Sequence, residues 1–352
     1  MIYIITKGAK FTLLCNNAFI YEGYHSCFIP KAMKKIVLAI DIGGTNTKIG
    51  LVTKEGRILG VKVFETRAKL PYKNFMQKLE EKVNMLLNEH NAFFRIEAIG
   101  VGAPNVNILT GNMENPPNLN WGTSVPLTKS IEEIWKFPTI VANDANAAAI
   151  GEMTFGMAQG MKNFVMLTLG TGLGSGIVIN GQLLTGEHGL AGELGHTKVD
   201  PYGRQCNCGL RGCLENYVSV TGIKRTVFEL ISEMTEDSPL KKLSFDDLKG
   251  EMIAEAALNG DPIAIKAFEL TGEILGSKLA DSVAHLDPEA IILAGGLGNA
   301  GDILLNPTVA SMEKNLFTAY KGKIKVLISK EPSANSILGP AALAINNLTY
   351  SS

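Results

Sequence analysis

The sequence predicts an α/β protein with two related lobes facing each other across a cleft. Three observations carry that expectation. A strand, glycine turn, strand pattern occurs twice, as Ile40-Asp-Ile-Gly-Gly-Thr-Asn-Thr-Lys-Ile-Gly-Leu-Val52 and Leu167-Thr-Leu-Gly-Thr-Gly-Leu-Gly-Ser-Gly-Ile-Val-Ile179, a repeat of domain size rather than a solenoid period. Short apolar strands alternate with stretches of helical periodicity. The 352 residues, 46% of them hydrophobic, are enough for two cores of ordinary size.

From Met33 onward the elements follow one another with clear punctuation. Ile36 to Ile42 is an unbroken apolar run apart from Asp41, which reads as a buried strand. Gly43-Gly-Thr-Asn-Thr47 turns the chain into a second strand from Lys48, and Lys54-Glu-Gly56 turns it again into a third, Ile58–Glu65. Phe75, Leu79, Val83 and Leu86 recur at helical spacing, so Tyr72–Glu89 is an amphipathic helix. A strand at 98–102 runs into Ala103-Pro104, a short helix spans 130–135, and Thr139–Ala142 is a further strand. After the second copy of the repeat come a long helix over 262–285, a strand at Ala290–Ala294, another at Lys325–Ile328 and a terminal helix from Gly339.

Charge excludes some functions. Thirty-three basic and 34 acidic residues leave a net charge of −1, so nothing points to a nucleic-acid or membrane surface. No apolar run reaches the roughly 18 residues of a membrane span. Residues 1–32 hold two interrupted apolar stretches, without the continuous core and cleavage site of a signal peptide. They are expected to be a disordered lead or an upstream mis-start, because Met33-Lys-Lys-Ile resembles a natural beginning. Two of the five cysteines, Cys15 and Cys27, fall in this lead; the other three have metal-ligand spacing, which fits a reducing, cytoplasmic setting.

Those three are Cys206, Cys208 and Cys213, close after His196. Three thiolates and one imidazole complete a tetrahedral zinc set with no position open for water, so the metal is expected to be structural. Glu193 and Glu215 bracket the segment. The glycine loop Gly170-Thr171-Gly172-Leu-Gly174-Ser-Gly176 superficially resembles a dinucleotide fingerprint, but Ile177-Val-Ile and Asn180-Gly181 announce a hairpin where that motif requires a helix. Each loop alone reads as a plain hairpin turn. Their repetition, with threonines among the glycines, points instead to amides and hydroxyls that cradle phosphates. Asp41, at the end of the first strand, could hold Mg²⁺ through water, or simply cap its turn. Gly295-Gly296 follows a buried strand and would let a flat base or ribose approach the backbone. Asn143-Asp144 ends another strand, where an α/β cleft opens; for an isolated pair the simpler reading is a helix cap.

Together these residues resemble the ROK family of sugar kinases within the actin/hexokinase superfamily. The resemblance rests on Asp41-Ile-Gly-Gly-Thr-Asn-Thr-Lys48, Gly102-Ala-Pro104, Asn143-Asp144-Ala-Asn146, Leu169-Gly-Thr-Gly-Leu-Gly174, Glu193-Leu-Gly-His196, the cysteine loop to Glu215, and Ala294-Gly-Gly-Leu297. It implies a two-lobed actin-like ATPase (ribonuclease H-like) fold, with 33–142 and 338–352 in a small lobe and 143–337 in a large one. It further implies Asp144 as catalytic base and Gly102, Asn118, Asn143, Glu193, His196 and Glu215 around a hexose. Asp41, Gly43, Gly44, Thr45, Thr47, Lys48, Gly170, Thr171, Gly172, Gly295 and Gly296 would then serve ATP and Mg²⁺, with a homodimer as the assembly. Lys48 reads equally as a solvated strand residue. Glucose leads among the sugars, while N-acetylglucosamine, N-acetylmannosamine, allose and fructose stay open. Asn105 stands where the family commonly has glycine, which changes the pocket wall. The family also includes sugar-responsive repressors, but residues 1–32 show no helix-turn-helix periodicity. A zinc-ribbon interaction module would leave the duplicated loops unexplained.

Overall fold

The computed structural model describes residues 34–90, 94–116, 119–329 and 336–350. The lead 1–32 and Asn118 lie outside them. Two five-stranded sheets organise the chain. In the first, β1 (Lys34–Ile42), β2 (Asn46–Thr53) and β3 (Ile58–Glu65) form an antiparallel meander. Then β4 (Phe94–Gly102) and, past a two-stranded β5 (Met113–Glu114) and β6 (Ser124–Val125), β7 (Thr139–Ala142) add parallel to β1, giving the order β3-β2-β1-β4-β7. The second sheet repeats this plan. β8 (Phe164–Leu169), β9 (Leu173–Ile179) and β10 (Gln182–Leu183) are antiparallel, β11 (Ala290–Ala294) and β12 (Lys325–Ile328) parallel, in the order β10-β9-β8-β11-β12. The repeat legible in the sequence is thus a repeat of topology.

Helices cover both faces of each sheet. On the first, α1 (Tyr72–Glu89) and α2 (Leu127–Trp135) bury Phe75, Leu79, Val83, Leu86, Ile131 and Trp135 against β1, β2 and β4. The opposite face carries α9 (Leu338–Tyr350), whose Ala341 and Ala344 meet Val37, Ala39 and Ala98. The second sheet takes α3 (Asp144–Phe155) on one face through Ala149, Met166 and Val178. Its other face holds the larger core, from the short α4 (Glu215–Val218), α5 (Val220–Glu233), α6 (Gly250–Leu258), α7 (Pro262–Leu286) and α8 (Asp302–Asn315). Helices α3 and α9 pack on each other between the sheets.

Helix α7 shows why these elements form where they do. The Asp261 side chain accepts from the Ala264 amide at 2.8 Å, Pro262 occupies the first turn, and Asp287 ends the helix in the left-handed region at φ 43°. Between these caps Ile263, Phe268, Leu275, Leu279 and Val283 are buried, each worth about 1.5–3 kcal/mol of transfer free energy. Among the differences from the sequence reading are one helix boundary and one helix it did not assign. Helix α2 begins at Leu127, because Leu127, Ile131 and Trp135 form one apolar stripe that a start at 130 cuts short. Helix α8 runs through Pro307, which nests over Gly272 of α7, where a β-carbon would lie 2.6 Å from the proline ring.

Candidate functional site

The ends of β1, β4 and β7 lie side by side. Asp41 is in register with Gly102, Gly102 with Ala142, and across the β1–β2 hairpin Asp41 faces Lys48. The chain then leaves β7 into α3 through Asn143 and Asp144. Asn143 is the helix cap, its Oδ1 accepting from the Ala145 amide at 2.9 Å, so the simpler reading holds for it. Asp144 follows at the first position of the helix, its Oδ1 also accepting from the Ala145 amide at 2.8 Å. Gly102 lies beside it: a β-carbon there would stand 3.3 Å from the Pro340 ring and in ordinary contact with Ala147 and the Asp144 backbone at 3.4 and 3.9 Å.

The surrounding protein desolvates these acids. Burial pushes the Asp144 carboxyl above its ordinary range, partly offset by the amides of Ala145 and Asp144 itself. Asp41 is pushed up to about 6, first by burial and also by the charge of Asp144, against a hydrogen bond from Ser336 and the charge of Lys48. The charge of Lys48 thus acts on Asp41 across the hairpin. Glu193, on the other wall, is raised by burial, lowered by His196, and raised further by Asp144 and Glu215. Groups from both sheets thus sense one another, as titratable groups in functional clefts commonly do.

The two glycine loops are held differently. In the first, the Gly43 amide donates to the Asn46 carbonyl at 3.0 Å, and Thr66 donates its hydroxyl to the Gly43 carbonyl at 2.7 Å and its amide to the Thr45 carbonyl at 2.8 Å. Thr47 and Thr66 share a hydrogen bond of 2.9 Å. In the second, the Gly170 amide donates to the Gly172 carbonyl, the Val220 amide to the Gly170 carbonyl, and the Thr221 hydroxyl to the Thr171 carbonyl. Gly295 lies against this loop at φ +89°, its α-carbon so near that a β-carbon would be 2.7 Å from the Leu169 carbonyl. Gly174 and Gly176 let α3 settle on β9, with added β-carbons 2.8 and 2.6 Å from Ala145 and Ala149.

His196, Cys206, Cys208 and Cys213 converge, with donor atoms all within 4.8 Å of one another. Cys208 Sγ lies 3.7 Å from Cys213 Sγ, and Cys206 Sγ 3.9 Å from His196 Nδ1. A zinc tetrahedron with sulfur ligands has edges of about 3.8 Å, so the donor set fits that ion. Burial, with Cys208 and Cys206 beside it, pushes the Cys213 thiol up to about 12, so its thiolate form calls for an adjacent cation. Arg204 clamps the loop from behind. It pairs with the Glu229 carboxylate and donates to the carbonyls of Asn216 at 2.7 Å and Gly222 at 3.0 Å and to Thr226 Oγ1 at 2.9 Å. Glu215 bridges outward, one oxygen 3.7 Å from Cys206 Sγ and the other accepting from the Leu173 amide at 3.1 Å. The metal loop and the second glycine loop are therefore one connected unit.

The structure brings together Asp41, Lys48, Gly102, Asn143 and Asp144 on one side, and Gly170, Thr171, Gly172, Glu193, His196, Glu215, Gly295 and Gly296 on the other. Sequence reasoning passed over Ser336, Thr66, Ser175 and Arg204. Ser175 carried a usable signal, since it occupies the place in the second repeat that Lys48 occupies in the first.

Comparison with known proteins decides the family. The ROK family profile matches residues 37–347. The chain belongs to the ROK family. It is 37% identical over 292 residues to a glucokinase of Halalkalibacterium halodurans, covering 80% of this chain and 85% of that protein. Its fold matches a ROK glucokinase of Streptomyces griseus, solved with glucose and AMPPNP, at a TM-score of 0.76 and 33% identity, over 88% of this chain and 99% of the other. A ROK transcriptional regulator, a homolog of the E. coli MLC protein, superposes at a TM-score of 0.82 and 28% identity, over 90% of this chain and 79% of the other. ROK kinases and ROK regulators share this fold, so overall shape does not choose between them; the site must.

Proposed function

We propose that the protein is an ATP-dependent hexose kinase of the glucokinase type, transferring the γ-phosphoryl group of ATP to the 6-hydroxyl of glucose. The observation that carries this reading is Asp144: a carboxylate desolvated at the start of α3, whose charge acts on Asp41 and Glu193. A raised pKa suits a general base near neutral pH. The sugar O6 attacks the γ-phosphorus as the bond to the bridging oxygen of ADP breaks, and the hydroxyl proton passes to Asp144. The rest of the work is positioning and charge neutralisation. Glu193, His196, Asn143, Asn118 and the unengaged capacity of Glu215 hold the ring hydroxyls, with Gly102 as the wall. The turn backbone at 44–45 and 171–172, with Lys48, holds the phosphates, and Gly295-Gly296 receives the nucleoside.

Two ions complete the reading. Mg²⁺ fits beside Asp41, whose buried carboxyl lacks a full counter-charge, and supplies neutralisation of the phosphates. Zinc fits the His196, Cys206, Cys208, Cys213 set and fixes Glu215. We assign 33–142 with 338–352 to one lobe and 143–337 to the other, since α9 returns to the first sheet. The family resemblance extends the proposal to a homodimer, which light scattering tests directly.

A coupled ADP-release assay across glucose, N-acetylglucosamine, N-acetylmannosamine, allose and fructose tests the function. Turnover with glucose at the highest kcat/KM is the expected result; Asn105, exposed at φ 51° beside Gly102, is where another sugar preference would originate. The regulator superposition supports a second reading, sugar sensing without catalysis. No ADP release with any sugar, together with a sugar-dependent DNA mobility shift, would favour it.

A further inference from the structure

The sugar-side segment that ends in Glu193 is tied down at two places, and one of them belongs to the opposite sheet. Close to Glu193 itself, Ser175 of β9 donates its hydroxyl to the Gly192 carbonyl and accepts from the Leu194 amide at 3.2 Å. Five residues upstream, the His188 carbonyl accepts a 2.9 Å hydrogen bond from Asn107 Nδ2. Asn107 lies five residues beyond Gly102, on the connection that leaves β4. Its side chain is 8% exposed and works in two directions. Oδ1 accepts from the amides of Leu109 at 3.0 Å and Thr110 at 3.4 Å, closing its own turn, while Nδ2 reaches across to His188. The fit is close: Gly189 adopts φ +73°, and a β-carbon there would lie 2.5 Å from Asn107 Oδ1.

We propose that Asn107 is a positioning residue, coupling the β4 wall at Gly102 to the placement of Glu193 through the His188 carbonyl. The effect on sugar rests on the kinase reading above; the ordering of 188–194 does not. The chemistry explains why an amide is used. Buried polar groups need partners on every side they present, and this site asks one side chain to accept from its own turn and donate to the facing loop. Among side chains of this length only asparagine does both. Aspartate would keep the acceptor for Leu109 and Thr110 but set a carboxylate oxygen against the His188 carbonyl. The segment would then be held only by Ser175 and its local Ala191 amide to Thr185 carbonyl bond. Glu193 would lose the constraint that relates it to the first sheet, and a misplacement of about 1 Å is enough to cost orienting power.

The deciding variant is therefore Asn107→Asp, with Asn107→Ala as the form that loses both functions. Two measurements on the full chain separate the possibilities. In hydrogen exchange without sugar, Asn107→Asp should speed exchange at amides of 188–194 and leave 107–112 at wild-type protection. In steady-state kinetics it should raise KM for glucose by about tenfold while KM for ATP stays within about twofold. Wild-type exchange at 188–194 overturns the proposal, and so does an equal rise in both KM values. If the wild-type chain turns over no hexose, the kinase reading fails and the exchange measurement alone decides the role of Asn107.

Discussion

The two five-stranded sheets share a strand order and differ in what their glycine turns carry. Along the sequence, Asp41 of the first repeat corresponds to Thr168 of the second and Lys48 to Ser175; strand pairing sets Lys48 opposite Asp41 but Gly174 opposite Thr168, and makes Ala103 after β4 the counterpart of Gly295 after β11. The first turn keeps charge: an acid and a base face each other across a hairpin locked by Thr47 and Thr66. The second has no charge of its own and is held by neighbours, namely Val220, Thr221, Glu215 and Gly295. A duplicated scaffold has thus divided its labour. One copy carries charged side chains beside its turn, and the other carries backbone braced by the adjoining cysteine loop. Each prediction below tests whether that division is real.

The largest effect belongs to the charged copy. Asp144→Asn keeps the helix start, which Asn143 caps independently, but removes the proton acceptor. Sugar binding should stay within about twofold and kcat fall by at least ~10²-fold, the low end for loss of a general base. Near-normal turnover would take Asp144 out of the mechanism. Next comes the metal of the backbone copy. Protein purified without chelator should carry zinc stoichiometrically, and stripping it should weaken glucose binding by about 10–100-fold, because Glu215 and the Leu173 amide move with the loop. Protein that never contains metal defeats this.

A third test uses the equivalence of Ala103 and Gly295. Gly295→Ala forces a β-carbon against the Leu169 backbone at a positive φ and should destabilise by about 2–4 kcal/mol. Ala103→Gly should cost about 1 kcal/mol, the ordinary entropic price. Equal losses in denaturant titrations would mean the two turns are not held by different means.

Much of this arrangement was legible in the sequence, for identifiable reasons. Strands such as Ile36–Ile42 and Ala290–Ala294 are short apolar runs between turn residues, and their period-free hydrophobicity marks burial directly. The cysteine loop was legible because three thiols and an imidazole at that spacing have few other uses. What stayed hidden depends on contacts distant along the chain. Nothing near Asn107 announces His188, 81 residues away. Arg204 looked like any surface arginine until α5 supplied Glu229 and Thr226. Helix α8 was masked by Pro307, whose ring finds room against α7 only because Gly272 there has no side chain. Local pattern reports elements and chelating sets; which side chain from one lobe steadies a loop of the other is a property of the assembled fold.

The smallest expected effect concerns Asp41 and the absence of an acid at Thr168. The folded state raises the Asp41 carboxyl from 3.8 to about 6, so in that interval the folded chain holds a proton the unfolded chain has released. By linkage, stability must fall as pH rises through the interval, with the cost absent below it and fully present above. Two units correspond to roughly 3 kcal/mol at most, and water in the open cleft screens this to about 1–2 kcal/mol. Asp41→Asn removes the titration. Its Tm, measured without nucleotide or Mg²⁺, should match the wild type near pH 4 and exceed it by a margin that grows to pH 6 and then levels. Asp144 remains in both proteins, and its own shift comes from burial, which the substitution leaves in place. Parallel melting curves across the whole range would show that Asp41 is not held against its charge, and that the first turn owes its character to Lys48 and the threonines alone.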